Sequence, residues 1–188
     1  MRIRDKISLK ANNDNIKELV KNRKSDNLNY IDTTNVTNMM NLFSESDFNG
    51  DISLWNTSNV VNMFSMFNTS SFNGDISEWD VSKVRDMYAL FLESSFNRDI
   101  SRWDTSCVTN MDSMFYNSSF NQDISAWDVS GVINMHKMFS NSNFNKDIGS
   151  WDVSNVSTME GMFFSSIFNR AIVTGKHTKH INNIRRIP

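Results

Sequence analysis

The 188 residues hold one cysteine, Cys107, which excludes a disulfide framework and any metal site built from several thiolates. Long apolar runs are also missing. No stretch approaches the roughly 20 residues of a membrane span, and the opening MRIRDKISLKANN carries charge with no apolar stretch behind it, so neither membrane insertion nor a signal peptide is expected. The six glycines form no phosphate-cradling loop and no Gly-rich nonapeptide of the kind that loads calcium into β-helices. Histidine numbers three: His136 falls among repeat slots beside those of Ser65, Ala89, Ser113 and Gly161, while His177 and His180 sit in a nonrepetitive tail. In a chain so rich in Ser and Asp, no Ser/His/Asp trio stands out from chance. The expectation is a non-enzyme with no catalytic residue, no cofactor and no metal site.

Positive charge is scarce where nucleic acid would need it. The net charge of -2 divides into eight Lys/Arg against three acids over residues 1–24, seven against eighteen over 25–170, and four against none over 171–188. Phosphate neutralisation requires Lys or Arg arrayed along the binding surface, so an acidic body argues against a nucleic-acid partner.

What the chain does have is a repeat. Trp55, Trp79, Trp103, Trp127 and Trp151 stand 24 residues apart, and around them run the units FNGDISLWNTSNVVNMFSMFNTSS, FNGDISEWDVSKVRDMYALFLESS, FNRDISRWDTSCVTNMDSMFYNSS, FNQDISAWDVSGVINMHKMFSNSN and FNKDIGSWDVSNVSTMEGMFFSSI. A partial unit from Tyr30 precedes them, and another breaks off after Phe168. Fixed self-similarity of this length marks a solenoid, whose units bury their apolar faces only against one another.

Within one unit, Ile76, Trp79, Val81 and Val84 match the L-x-x-L-x-L spacing of a leucine-rich repeat, which predicts a short strand with Trp79 and Val81 inward and Asp80 outward. Val84, Met87, Leu90 and Phe91 then follow i, i+3, i+6, i+7 and predict about two helical turns. The fold class expected is thus an α/β solenoid, a leucine-rich-repeat-like right-handed coil with one short parallel strand and one short helix per 24-residue repeat. Ten of the twelve Met and twelve of the fourteen Phe fall in repeat columns, a pattern of polarizable core filler beside aromatics rather than of a soft-metal chain. Two aspartate columns also recur: Asp51, Asp75, Asp99, Asp123 and Asp147 before the isoleucine, and Asp80, Asp104, Asp128 and Asp152 after the tryptophan. Stacked like charges repel, so these carboxylates are expected to accept hydrogen bonds from turn amides and from the serine two residues on.

Three regions follow. Residues 1–29 form an N-terminal cap with a short amphipathic helix at about 14–23, carried by Ile16, Leu19 and Val20; residues 30–172 form the repeat solenoid; residues 173–188 form a C-terminal tail or irregular cap.

The Trp-Asp, Phe-Asn and Met-x-x-Met-Phe elements, recurring together as in FNQDISAWDVSGVINMHKMF, resemble the BspA-like leucine-rich-repeat surface proteins, also called mycoplasma-lipoprotein-like repeats. The resemblance spans about Tyr30 to Ile172. It implies a nonenzymatic binding solenoid, at the bacterial cell surface or secreted, active in adhesion to host proteins or other cells. The missing signal-like stretch leaves a cytoplasmic location open as well. The outward positions flanking each tryptophan are the candidate partner-binding residues: Glu78, Asp80, Arg102, Asp104, Ala126, Asp128, Ser150 and Asp152. There the aspartate recurs while the other flank varies, so specificity can be written on a fixed scaffold. The expected partner is a protein, and the alternative is a structural spacer or a solenoid that associates end to end with no dedicated ligand.

Overall fold

The computed structural model describes residues 9–169, and the tail expected over 173–188 lies outside them. The first strand, β1 (Leu9–Asn12), leads into the single helix of the described residues, α1 (Ile16–Val20), and the chain then returns as β2 (Ile31–Asn35). β1 and β2 pair in parallel, with Leu9 opposite Ile31 and Lys10 opposite Asp32. Ile16 and Val20 are buried, and Leu19 packs against the core from a half-buried position. The i, i+3, i+4 spacing of these three residues thus turns one face of α1 inward.

Beyond β2 the described residues form neither strand nor helix, yet each unit is bonded to the next. Parallel bridges join Asn38 to Asn62, Asn62 to Asp86, Asp86 to Asn110, Asn110 to Asn134 and Asn134 to Thr158, each a step of one repeat. Around these points alternate amides donate to the following unit: Met87 to the Asn110 carbonyl (3.0 Å), Ala89 to Asp112 (2.9 Å), Phe91 to Met114 (2.9 Å) and Glu93 to Tyr116 (2.8 Å).

This ladder displaces the helix expected over Val84–Phe91. The amides between the rungs close turns inside the unit, Leu90 to the Met87 carbonyl and Leu92 to that of Ala89, both at 3.2 Å. Two residues per unit take a left-handed backbone to allow it, as at Ser65 and Thr69, Ala89 and Glu93, Ser113 and Asn117, and Lys137 and Asn141. Positive φ at the third residue of a turn is the geometry of type II, and away from glycine it costs roughly 1–2 kcal/mol per residue. Inter-unit bonds and burial offset that cost: Val84, Met87, Leu90 and Phe91 are all fully buried. A helix and this chain of turns therefore bury the same four residues. The short strand expected at Trp79 and Val81 is likewise replaced by turns, with Trp79 donating to the Ile76 carbonyl and Val84 to that of Val81, and parallel pairing falls at Asp86 instead.

The core is a set of side-chain columns. Phe67, Phe91, Phe115 and Phe139 stack with centroids 5.6–5.7 Å apart. Each also lies against the next phenylalanine of its own chain segment, as Phe91 does against Phe96 at 4.2 Å. Recurrent polar residues knit the units. Each Phe-Asn asparagine accepts the amide of the Phe-Asn asparagine one unit on, from Asn73 to Asn49 (2.8 Å) through Asn169 to Asn145 (3.2 Å). The buried serines Ser70, Ser94, Ser118 and Ser142 accept the amide of the phenylalanine two residues later, closing the bend that turns the ring inward.

Candidate functional site

All eight residues flanking the tryptophans are exposed, and all four tryptophans between them are buried. The alternation across each Trp therefore puts the variable and acidic positions at the surface, although the backbone there is turn rather than strand.

Each aspartate in the column after the tryptophan is fixed by its own unit. Asp80 accepts the Ser82 hydroxyl (2.6 Å) and amide (3.0 Å), and Asp104 accepts those of Ser106 (2.6 and 3.1 Å). The amides of Ser130 and Ser154 donate to Asp128 (2.9 Å) and Asp152 (3.0 Å). Donors aimed at the ionised form lower a carboxyl pKa. For Asp80, Asp128 and Asp152 the serine hydroxyl leads and its amide follows, holding all three below the ordinary carboxylate range; Asp128 pushes weakly the other way on Asp152. The repulsion inherent in a column of like charges is thus outweighed locally, and the negative charges persist at the surface. The Asp51, Asp75, Asp99 and Asp123 column is built the same way, with the backbone amides of Ser53, Ser77, Ser101 and Ser125 as the leading cause of the lowering and the hydroxyls second.

On the other flank, the structure brings Arg102 onto Glu78 at 2.9 Å across one unit. Both side chains are largely exposed, so water screens the pair and it adds little stability. Leu54, one unit before Glu78, is 78% exposed. Ser150 turns its hydroxyl to the Ser125 carbonyl (3.0 Å).

A second surface feature has no counterpart in the sequence reading. Tyr88, Leu92, Asp112, Ser113, Tyr116, His136 and Lys137 line an open hollow of about 300 Å³ spanning three units. Its floor is Asp112, which accepts the Ser113 hydroxyl (2.6 Å), His136 Nδ1 (3.3 Å) and Asn134 Nδ2 (3.3 Å). One wall is Tyr88, backed by Phe64 with centroids 4.6 Å apart and planes 16° off parallel. In sequence the signal is the column Met40, Phe64, Tyr88, Asp112, His136, Glu160, variable and rich in chemistry directly after a recurring residue such as Met111. A helix reading mixes that column with its neighbours.

A chain of 24-residue units bonded edge to edge is a tandem-repeat protein. It belongs to the family described as Mycoplasma protein of unknown function, DUF285, whose model matches residues 14–119 and again residues 91–187. No curated protein and no solved structure matches the chain.

Proposed function

We propose that this protein is a nonenzymatic solenoid of the BspA-like, leucine-rich-repeat-related kind that binds a protein partner, in adhesion or another contact at a cell surface. The binding face is the one carrying Glu78, Asp80, Arg102, Asp104, Ala126, Asp128, Ser150 and Asp152. One observation carries this reading: beside a buried, repeating tryptophan, four of the five units expose an aspartate and the first exposes Asn56 in its place, each with a variable side chain on the other flank. A surface of that kind offers recurring charge for encounter and changing side chains for discrimination, and electrostatic complementarity then favours a basic partner. Replacing Asp80, Asp104, Asp128 and Asp152 together by Lys is the test, read by capture of host and cell-surface proteins on the immobilised chain. Loss of a partner bound by the wild type, with the fold retained by thermal melting, supports the proposal; unchanged capture moves the site elsewhere.

The second reading is a spacer or self-associating array. Exposed Phe164 and Ile167 in the last described unit favour it, since exposed apolar side chains offer a surface on which another copy can pack. Light scattering over a wide concentration range separates the two: growth of mass with concentration supports assembly, and a constant monomer mass removes it.

A further inference from the structure

We infer that the hollow between Tyr88 and His136 binds a neutral sugar ring. The column that forms it runs Phe64, Tyr88, Asp112, His136 from unit to unit, so a short carboxylate sits between a phenol ring and an imidazole and leaves a notch one unit wide. At about 300 Å³ the hollow lies at the small end of ligand cavities, the size for one ring or the end of a longer chain.

Its walls differ in chemistry. Phe64 covers one face of Tyr88 from the preceding unit, so the opposite face is turned toward the Asp112 notch and held in place, with Leu92 beside it. That is a flat apolar platform of the sort that packs against the C–H face of a pyranose. The remaining wall is polar and rigid. Tyr116 Oη already accepts Asn141 Nδ2 at 3.1 Å, which leaves its own proton to donate. The Asp112 carboxylate requires a proton on His136 Nδ1, so in the neutral ring Nε2 is left as an acceptor for a ligand hydroxyl. Lys137, exposed on the rim, adds an ammonium donor. Asp112 and Lys137 contribute one formal charge of each sign to the lining, so with His136 neutral the site carries no net charge to select an anion or a cation. A ligand with one apolar face and several hydroxyls meets all of these groups at once.

The test is saturation-transfer NMR and calorimetric titration of the full chain with two probes, lactose and N,N′-diacetylchitobiose. Wild type is expected to bind at least one of them. Tyr88→Ala is expected to weaken that binding about tenfold while Tyr88→Phe retains it, because the ring rather than the hydroxyl supplies the platform. Tyr116→Phe is expected to weaken it about fivefold, and this small change keeps the test valid if Tyr88→Ala fails to fold. Asp80→Lys, on the tryptophan-flanking surface, leaves sugar binding unchanged, which separates this site from the proposed protein-binding face. Absence of binding to both probes by folded wild type, or binding indifferent to Tyr88→Ala and Tyr116→Phe, overturns the proposal.

Discussion

The indole Nε1 of Trp103 donates to the carbonyl of Ile76 at 3.1 Å, twenty-seven residues earlier in the chain. The same oxygen accepts the Trp79 amide at 3.2 Å, so one carbonyl ties its own unit's turn to the following unit's tryptophan. Trp55, Trp79, Trp127 and Trp151 repeat the bond at 3.0–3.2 Å. This is the physical content of the 24-residue period. Trp103→Phe removes the donor and part of the buried ring, and is expected to destabilise the protein by about 2 kcal/mol in urea denaturation. A loss within experimental scatter of zero would show that the indole bond does not join the units.

The slot two residues after each tryptophan provides an internal comparison. Thr105 donates its hydroxyl to the Asp128 carbonyl at 2.8 Å, whereas the Thr57 hydroxyl is buried with no partner, and Val81 and Val129 fill the same slot. Thr57→Val is expected to stabilise by roughly 1 kcal/mol and Thr105→Val to destabilise by about as much. Paired thermal melts check the difference in sign.

Gly50 sits where the chain entering the stack crosses the first full unit. A Cβ at either Gly50 or Gly74, the same slot one unit later, would meet the phenylalanine ring two residues earlier at 2.8 Å, but at Gly50 it would also collide with the Asp26 carbonyl, while at Gly74 the nearest backbone atom is the Gly50 carbonyl at 3.4 Å. Arg98, Gln122 and Lys146 occupy the slot in later units. Gly50→Ala is therefore expected to cost more stability than Gly74→Ala, by about 1 kcal/mol or more, and equilibrium unfolding of the two variants measures the gap.

Acid should act through the serine-held carboxylates. Asp51, Asp75, Asp80, Asp99, Asp123, Asp128 and Asp152 all have folded pKa values below the ordinary carboxylate value, so the unfolded chain binds more protons as pH falls. Their contribution is complete above about pH 5 and is lost as pH drops below about 4 toward the folded values. These groups are exposed, so each contribution is small and their sum is what a melt detects. The melting temperature should be flat from pH 5 to 7 and fall below pH 4. In Ser82→Ala, which removes the leading donor to Asp80, the melting temperature above pH 5 should be slightly lower and the fall below pH 4 slightly smaller.

The repeat and the core columns were legible because burial leaves a period in the apolar residues: Val84, Met87, Leu90 and Phe91 are inside, as their spacing predicts. The backbone carrying them was not. Spacing of i, i+3, i+6, i+7 fits a helix, and it equally fits turns with left-handed residues at Ala89 and Glu93, because both return the chain to the core every three to four residues. What decides between them is where the amides of Met87, Ala89, Phe91 and Glu93 bond, and those partners lie one unit away. The outward residues beside each tryptophan were readable by alternation alone. The Tyr88–His136 hollow was not, since it depends on a short side chain standing between two longer ones in a column that only the correct register lines up.

Carboxyl-labelling footprinting, read by mass spectrometry with and without a captured protein partner, tests the central claim most directly. Asp80, Asp104, Asp128 and Asp152 should lose label on binding, while Asp112 on the hollow keeps its free-state level. Unchanged labelling of the four aspartates in a saturated complex would contradict the assignment of the binding face.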